Sequence, residues 1–215
     1  MPLAHQTAPN LTAIVKRILS ILTFLFICLV CNANAVTPQI DIQRSRVKAK
    51  QALLFAKQRG YNTRYCILTD MSLPSGVRRF MVWDFKRDTI LISGLVSHGC
   101  GNSPWSGVWS KDKPAFSNAD GSHCTALGKY LIGKRGHSSW GIHVNYQMAG
   151  LEATNSNAMA RQIVFHSWDQ VTDAEVYPNG TPEGWGCPAI SNKNMKAIDT
   201  LIRKQSKHML LWIYN

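Results

Sequence analysis

Acid is what this chain has least of for its size. Against 24 Lys and Arg stand only 12 Asp and Glu, a formal net charge of +12. An excess of that kind draws a protein to anionic polymers, or at the least keeps it soluble. No basic-aromatic motif of the sort that reads RNA or DNA accompanies it, so nucleic acid is not expected as a partner. Long apolar runs are missing too. The longest, Ile18 to Val30, falls short of the ~20 residues needed to cross a bilayer, which argues against a stable membrane span. There is no internal repeat and no low-complexity segment. His98, Cys100, His123 and Cys124 offer nitrogen and sulfur ligands, but their spacing fits no standard zinc finger. Neither a metal nor another cofactor is expected.

What is present begins with a leader. Lys16-Arg17, the apolar run that follows and the small-x-small pattern Ala33-Asn34-Ala35 together read as a secretory signal peptide over residues 1 to 35. Val30 is not the small residue that lipoprotein processing takes before a Cys, so Cys31 does not predict a lipid anchor. Cleavage would leave a linker over 36 to 42 and one domain over 43 to 215, long enough to bury a substantial core. The domain is still basic, because the leader holds two of the cations and none of the acids. Export to the periplasm or cell envelope would bring it to anionic wall polymers such as peptidoglycan.

Periodicity places a helix over Gln43 to Arg59, with Val47, Ala49, Leu53, Leu54 and Ala56 near one face and Gly60 as its C-cap. Strand-like runs follow at 65–69, 79–85 and 89–96, separated by turn-forming segments. The stretch from Ser97 to Cys124 is rich in Gly, Ser and Pro, and a loop of that length in a compact domain is usually functional. Further strands are expected at 127–132 and 141–146 around a basic turn, Lys134-Arg135-Gly136, then at 161–165. A helix near 192–205 and a strand at 208–214 end the domain. The fold class is therefore mainly β, with an N-terminal helix and a helix after Cys187.

The chemistry concentrates at Gly184-Trp185-Gly186-Cys187-Pro188-Ala189-Ile190 and at Ile163-Val164-Phe165-His166 upstream. A thiol is only a few per cent thiolate near neutrality, so a nucleophilic Cys needs a nearby imidazole, a cation or a helix N-terminus. His166 supplies the first, and the helix following Ser191 offers the last. Backbone N–H groups of Gly186 and Cys187 are natural donors to an oxyanion, whereas Pro188 has none to give. Ser167, Asp169 and His98 are candidates to orient His166, as is a backbone carbonyl. Trp185 and Trp168 are placed to wall the site. Lys134-Arg135 and Arg78-Arg79 are available to meet substrate carboxylates, although solvated turns explain such charges as well. Cys100 and Cys124 flank the long loop, and a disulfide between them would add about 3 kcal/mol by loop closure. Cys66, in an apolar strand run, reads as buried. The papain-like order, with a His well after the Cys, is a poor match because only His208 follows Cys187.

Ser97-His98-Gly99-Cys100-Gly101-Asn102 superficially resembles the Ser-His-Gly-Cys signature of ordinary YkuD-type L,D-transpeptidases, which makes Cys100 a rival nucleophile. Its surroundings argue otherwise: upstream of Cys100 the domain holds only His98, and no helix and closing strand follow. The stronger resemblance is to a divergent branch, the murein L,D-transpeptidase catalytic domain. It is carried by Thr69-Asp70-Met71-Ser72-Leu73-Pro74-Ser75, Val82-Trp83-Asp84, Val96 to Asn102, Phe116-Ser117-Asn118, Gly121-Ser122, Leu127-Gly128-Lys129-Tyr130, Gly150-Leu151-Glu152, Val164-Phe165-His166 and Trp185-Gly186-Cys187-Pro188-Ala189.

That resemblance implies a β-rich YkuD-like fold, Cys187 as nucleophile and His166 as base, acting on peptidoglycan stem peptides. Pro188-Ala189 depart from the ordinary family, which has a basic residue just after its Cys. Gly184 stands where Ser is expected, and Cys100 and Cys124 are unusual for the branch. The expected reaction is acyl transfer through a thioester with release of D-alanine. An L,D-carboxypeptidase, in which water resolves the thioester, and a non-catalytic wall-binding domain are the alternatives. The sequence does not indicate an oligomeric state.

Overall fold

A computed structural model describes Thr12 and residues 15–20, 37–102 and 114–215. The chain divides into two compact units, Met1–Thr37 and Pro38–Asn215. In the first, Thr12 and residues 15–20 are helical and exposed. The cleavage pattern at 33–35 and most of the apolar run lie outside the described residues, as do 103–113 of the long loop. No described helix is long and apolar enough to cross a membrane.

The second unit opens with α1, Ile42–Arg59. Asp41 caps it by accepting from the N–H groups of Gln43 and Arg44, and Gly60 ends it in a left-handed conformation at φ +71°. The helix buries Ser45, Ala49, Ala52 and Ala56. Of the residues expected on the docking face, Ala49 and Ala56 are buried and Leu53 is half-buried, whereas Val47 and Leu54 are more than half exposed. A stripe of small residues allows the helix backbone to lie close to the sheet, and that contact outweighs the burial of two larger side chains on a lone helix.

Eight strands form one sheet: β1 (Tyr65–Asp70), β2 (Phe80–Asp84), β3 (Thr89–Gly94), β4 (Gly128–His137), β5 (Val144–Gly150), β6 (Val164–Ser167), β7 (Ala189–Ile190) and β8 (Leu210–Tyr214). Their spatial order is β3-β2-β1-β8-β4-β5-β6-β7. The β1–β8 and β6–β7 pairs are parallel and the others antiparallel. A helix α2, Asn192–Arg203, capped by Ser191, joins β7 to β8. A short 3-10 turn, Ala153–Asn155, lies between β5 and β6.

Alternation along the strands sorts the apolar residues into two layers. Ile67, Phe80, Val82, Tyr130, Met148, Phe165, Leu211 and Ile213 belong to the main core. Cys66, Leu68, Met81, Trp83 and Leu210 face the other way, against Ala49 and Ala52 of α1. Strands β1 and β2 are consequently buried on both faces.

Two corrections concern the strands. Lys134-Arg135-Gly136 is not a turn: β4 runs through it to His137, with a register shift against β5 between Ile132 and Arg135. The extra residue is absorbed as a β-bulge on the exposed part of the strand, where charged side chains reach water. The turn lies further on, around 138–143, and the longer hairpin carries Trp140 to its tip. Second, β7 is only two residues long, too short for any hydrophobic period to announce.

The sheet closes on itself. Just beyond β3, Val96 forms an antiparallel bridge with Ile190 of β7, and Gly99 forms a parallel bridge with Gly184. Ser97 N–H donates to the Ala189 carbonyl at 2.8 Å, and the Ser97 hydroxyl accepts from Ala189 N–H at 3.1 Å. The strands at the two ends of the sheet order are thus joined through the segment that follows β3.

Close docking of α1 has a measurable consequence. Ala52 is fully buried against the sheet, so Ala52→Leu should lower stability by about 1–3 kcal/mol through overpacking. Urea unfolding of the variant checks it; an unchanged midpoint would mean that the helix has room to move outward.

Candidate functional site

Closure of the sheet brings 183–190, β6 and the tip of the β4–β5 hairpin together around a cavity of about 450 Å³. Cys187 and His166 both line it, with Ser97, Arg161, Trp140 and Trp185 among the other walls. The β6–β7 register sets His166 opposite Ala189. Cys187 lies two residues earlier, beside Val164, whose N–H donates to the Cys187 sulfur at 3.3 Å. The two sequence-predicted residues therefore come from neighbouring segments of one parallel pair.

His166 Nδ1 lies 2.9 Å from the backbone carbonyl of Ser167. A carbonyl only accepts, so Nδ1 carries the proton and Nε2 is left with its lone pair. Among the three orienting candidates, Ser167 serves through its main chain. Its hydroxyl has another task, accepting from Ile142 N–H at 3.0 Å and so holding the hairpin tip in place. Asp169 is engaged elsewhere, accepting from the Asn192 amide at 2.8 Å.

His98 is buried in a separate polar chain. Arg79, itself fully buried, donates from Nη2 to His98 Nδ1 at 2.8 Å and from Nε and Nη2 to the Val96 carbonyl. Because a guanidinium cannot accept, His98 must hold its proton on Nε2, which faces Glu183 at 3.3 Å. The His98 carbonyl accepts from Gly184 N–H at 2.9 Å, and the Gly184 carbonyl accepts from Cys100 N–H at 2.8 Å. This network clamps the start of the Cys187 segment instead of entering the cavity.

A second clamp comes from the far end of the long loop. Thr125, fully buried, accepts from Gly99 N–H at 3.0 Å and donates to the Gly186 carbonyl at 3.2 Å. His123 stacks on Trp185 with ring centroids 4.8 Å apart. Gly186 adopts φ +100° and has no room for a side chain, since a Cβ there would meet the Cys124 carbonyl oxygen at 2.5 Å. Its N–H and that of Cys187 find no acceptor among the described residues. Trp168 is buried and packs edge-on against Trp140, whereas Trp185 is 59% exposed at the mouth.

Burial governs the electrostatics. It pushes the Cys187 thiol above its ordinary range, an effect partly opposed by the Val164 N–H and the charge of Arg161. It also pulls His166 below the usual imidazole range, partly opposed by the Ser167 carbonyl. Both shifts favour the uncharged pair over a thiolate–imidazolium pair.

All four cysteines of the second unit are free thiols, so the structure holds no Cys100–Cys124 bridge. The two are nevertheless neighbours, with Gly101 N–H donating to the His123 carbonyl and Gly99 N–H to Thr125 on either side of them. Cys66 is fully buried beneath α1. Among the described residues no group of three or more His, Cys, Asp or Glu is placed to hold a metal ion. The basic pairs lie away from the cavity: Arg135 binds Asp199 at 2.7 Å, Lys134 is exposed on the bulge, Arg78 is exposed and Arg79 is buried. Sequence reasoning missed Arg161, whose only signal was a cation at the head of an apolar run, and Trp140, displaced by the misplaced turn.

Because burial keeps the Cys187 thiol protonated, its alkylation by a neutral reagent should rise with pH through a midpoint above the ordinary thiol value of about 8.5. Rates read at Cys187 by peptide mass mapping check this. A midpoint below 7 would require the ion pair instead.

The sequence matches the family model described as YkuD_2: L,D-transpeptidase catalytic domain, over residues 37–214. No curated protein matches. Among solved structures, the chain is similar to the helical cell shape determining protein Pgp2 from Campylobacter jejuni, at 13% identity and a TM-score of 0.44, covering 70% of this chain and 47% of that one. It is similar to Bdellovibrio bacteriovorus Bd1075 at 16% identity and a TM-score of 0.46, covering 73% and 49%. An L,D-transpeptidase from Xylanimonas cellulosilytica gives 13% identity and a TM-score of 0.40, covering 75% and 68%. The chain spans about half the length of the first two. Its sheet-dominated architecture, with few helices, is of the YkuD-like β class.

Proposed function

We propose, for a chain that belongs to the L,D-transpeptidase catalytic-domain family, an exported cysteine acyltransferase that acts on peptidoglycan stem peptides. The observation that carries this reading is the arrangement of Cys187 and His166 on paired segments of one cavity, with His166 Nδ1 committed to the Ser167 carbonyl and Nε2 without a partner among the described residues. Residues 1–35 act as its leader and 36–42 as a linker, and the catalytic domain follows. Peptidoglycan is anionic and the protein basic, which favours their encounter.

With both partners uncharged at rest, His166 works as a general base during attack, not as the counter-ion of a preformed thiolate. Nε2 takes the Cys187 proton as Sγ bonds to the carbonyl carbon of the third residue of a donor tetrapeptide. The N–H groups of Gly186 and Cys187 receive the developing oxyanion, where losing one such donor typically costs about 2.7–4 kcal/mol. The C–N bond then breaks, His166 returns its proton to the departing amine, and D-alanine leaves. A side-chain amine of a second stem attacks the thioester, gives up a proton through His166 and releases the thiol. Trp140, Trp168 and Trp185 limit water around the acyl group, which favours the amine over hydrolysis.

Incubation of the protein with purified tetrapeptide muropeptides should yield cross-linked dimers that have lost D-alanine, and Cys187→Ala should abolish them. Tripeptide monomers alone would instead mark a carboxypeptidase, and no turnover at all would leave only wall binding. The acid limb of the rate should fall below pH 6.5, the ordinary imidazole value, because His166 must stay neutral and its pKa is lowered. A limb above that value would contradict the general-base role.

A further inference from the structure

Of the four described residues other than glycine that adopt positive φ, three belong to segments around the mouth of the cavity. His123, at φ +53°, stacks on Trp185. His143, at φ +60°, lies in the turn of the β4–β5 hairpin that carries Trp140. Gln162, at φ +54°, lines the cavity itself. The fourth, Asp88, is in the turn between β2 and β3. Side chains seldom occupy such backbone, and they hold it only where the surrounding structure fixes them. Here the fixed positions furnish a rim.

Two large apolar side chains stand in water at that rim. Trp185 is 59% exposed and Trp140 47%, and both line the one cavity. Each is braced: Trp185 lies nearly parallel to the His123 ring at 4.8 Å, and Trp140 meets Trp168 edge-on at 5.9 Å. The hairpin turn is braced as well, since His143 donates from Nδ1 to the Ser138 carbonyl at 3.1 Å and stacks on His137. A Cβ built on Gly184 would meet nothing within 4 Å, so the space beside Trp185 is open. Gln162 is exposed, and its side-chain amide forms no hydrogen bond among the described residues. The rim thus offers rigid apolar faces and a neutral amide, which suits a ligand that is apolar on one face and polar but uncharged at its edge. A pyranose ring with an acetamido group has that form: its C–H face packs on an indole while its hydroxyls stay in water, and its amide pairs with another amide.

We infer that Trp185, Trp140 and Gln162 form a subsite for an N-acetylated sugar of the glycan strand that carries the donor stem. The inference rests on the acyl-transfer reading for where the peptide lies, but the sugar can be tested without it. Three extended residues reach at most about 11 Å, so a stem attacked at its third carbonyl leaves its sugar roughly that far from the Cys187 sulfur. Trp185 stands two residues before Cys187, a backbone span of no more than about 7 Å, and its indole extends outward from there. The cavity of about 450 Å³ takes the peptide, and the saccharide stays at the mouth. Because the indoles are already held in place, little ordering is needed when the sugar binds.

The probe is tetra-N-acetylchitotetraose, a tetramer of N-acetylglucosamine with no peptide attached. Calorimetry should show saturable binding with a Kd of about 1 mM or tighter. Trp185→Ala should weaken it by about tenfold, and Trp185→Phe should retain part of the affinity. Cellotetraose, with hydroxyls in place of the acetamido groups, should bind several-fold more weakly, and equal affinity for the two sugars would overturn the role given to Gln162. Hydroxyl-radical footprinting of the wild type should show Trp185 and Trp140 protected by the chitotetraose, a readout that needs no variant to fold.

Absence of saturable binding up to about 10 mM, or binding that leaves both indoles unprotected, overturns the inference. With muropeptides, a disaccharide tetrapeptide should have a lower KM than the free tetrapeptide, and Trp185→Ala should erase that difference. Comparing the two donors within one variant cancels any effect of the substitution on water exclusion. Turnover of both donors with equal KM in the wild type would also sink the subsite while leaving the acyl-transfer reading intact. Failure of all turnover, with sugar binding and footprint as expected, would count against acyl transfer and leave the subsite standing.

Discussion

The whole arrangement depends on how the open ends of the sheet are joined. An eight-stranded sheet with β3 at one end and β7 at the other would present two rows of unpaired backbone groups. The segment after β3 joins the two ends by pairing Val96 with Ile190 and Ser97 with Ala189. Because β7 is only two residues long, it has little pairing of its own to hold it in place. Closure is therefore what fixes the height of Cys187 along the sheet, and hence its offset from His166 on β6.

Buried charge reinforces that seam. Arg79 is taken wholly out of water, which is costly unless its donors are used, and they are: by the Val96 and Leu73 carbonyls and by His98. The same chain reaches Glu183 and, through the His98 carbonyl, Gly184. Thr125 performs the corresponding task on the other side, bridging Gly99 and Gly186. The segment before Cys187 is gripped from two directions, which leaves the N–H groups of Gly186 and Cys187 in place without an acceptor among the described residues. Preorganisation of that kind spares a site the cost of ordering its dipoles during reaction.

Much of this was legible in the sequence, for identifiable reasons. Helix α1 was bounded correctly because Gly60 marks an end by its backbone preference, yet its docking face was only partly anticipated. Ala49 and Ala56 dock as expected, but hydrophobic size also pointed to Val47 and Leu54, where close packing selected Ser45 and Ala52 instead. The pairing of Cys187 with His166 could be anticipated from residue type and order. The Arg79–His98–Glu183 chain could not, since it links three distant segments through a closure that no local pattern encodes. Arg161 escaped notice for a related reason: its charge bears on Cys187, which is distant in sequence and near only once β6 and β7 pair. The basic triplet at 134–136 misled because Gly beside charge suggests a turn, whereas a bulged strand edge tolerates the same residues.

The parallel pairing of β1 with β8 carries a further consequence for how the protein comes into being. These two strands lie side by side at the centre of the sheet, yet nearly the whole domain separates them in the chain. Until Leu210–Tyr214 is available, β1 lacks one neighbour and β4 another, and α1 has only part of the surface it covers. Cysteine and histidine are likewise without their frame. A growing chain thus lacks the middle of its sheet until its last strand emerges, and the frame that sets Cys187 against His166 is completed only then.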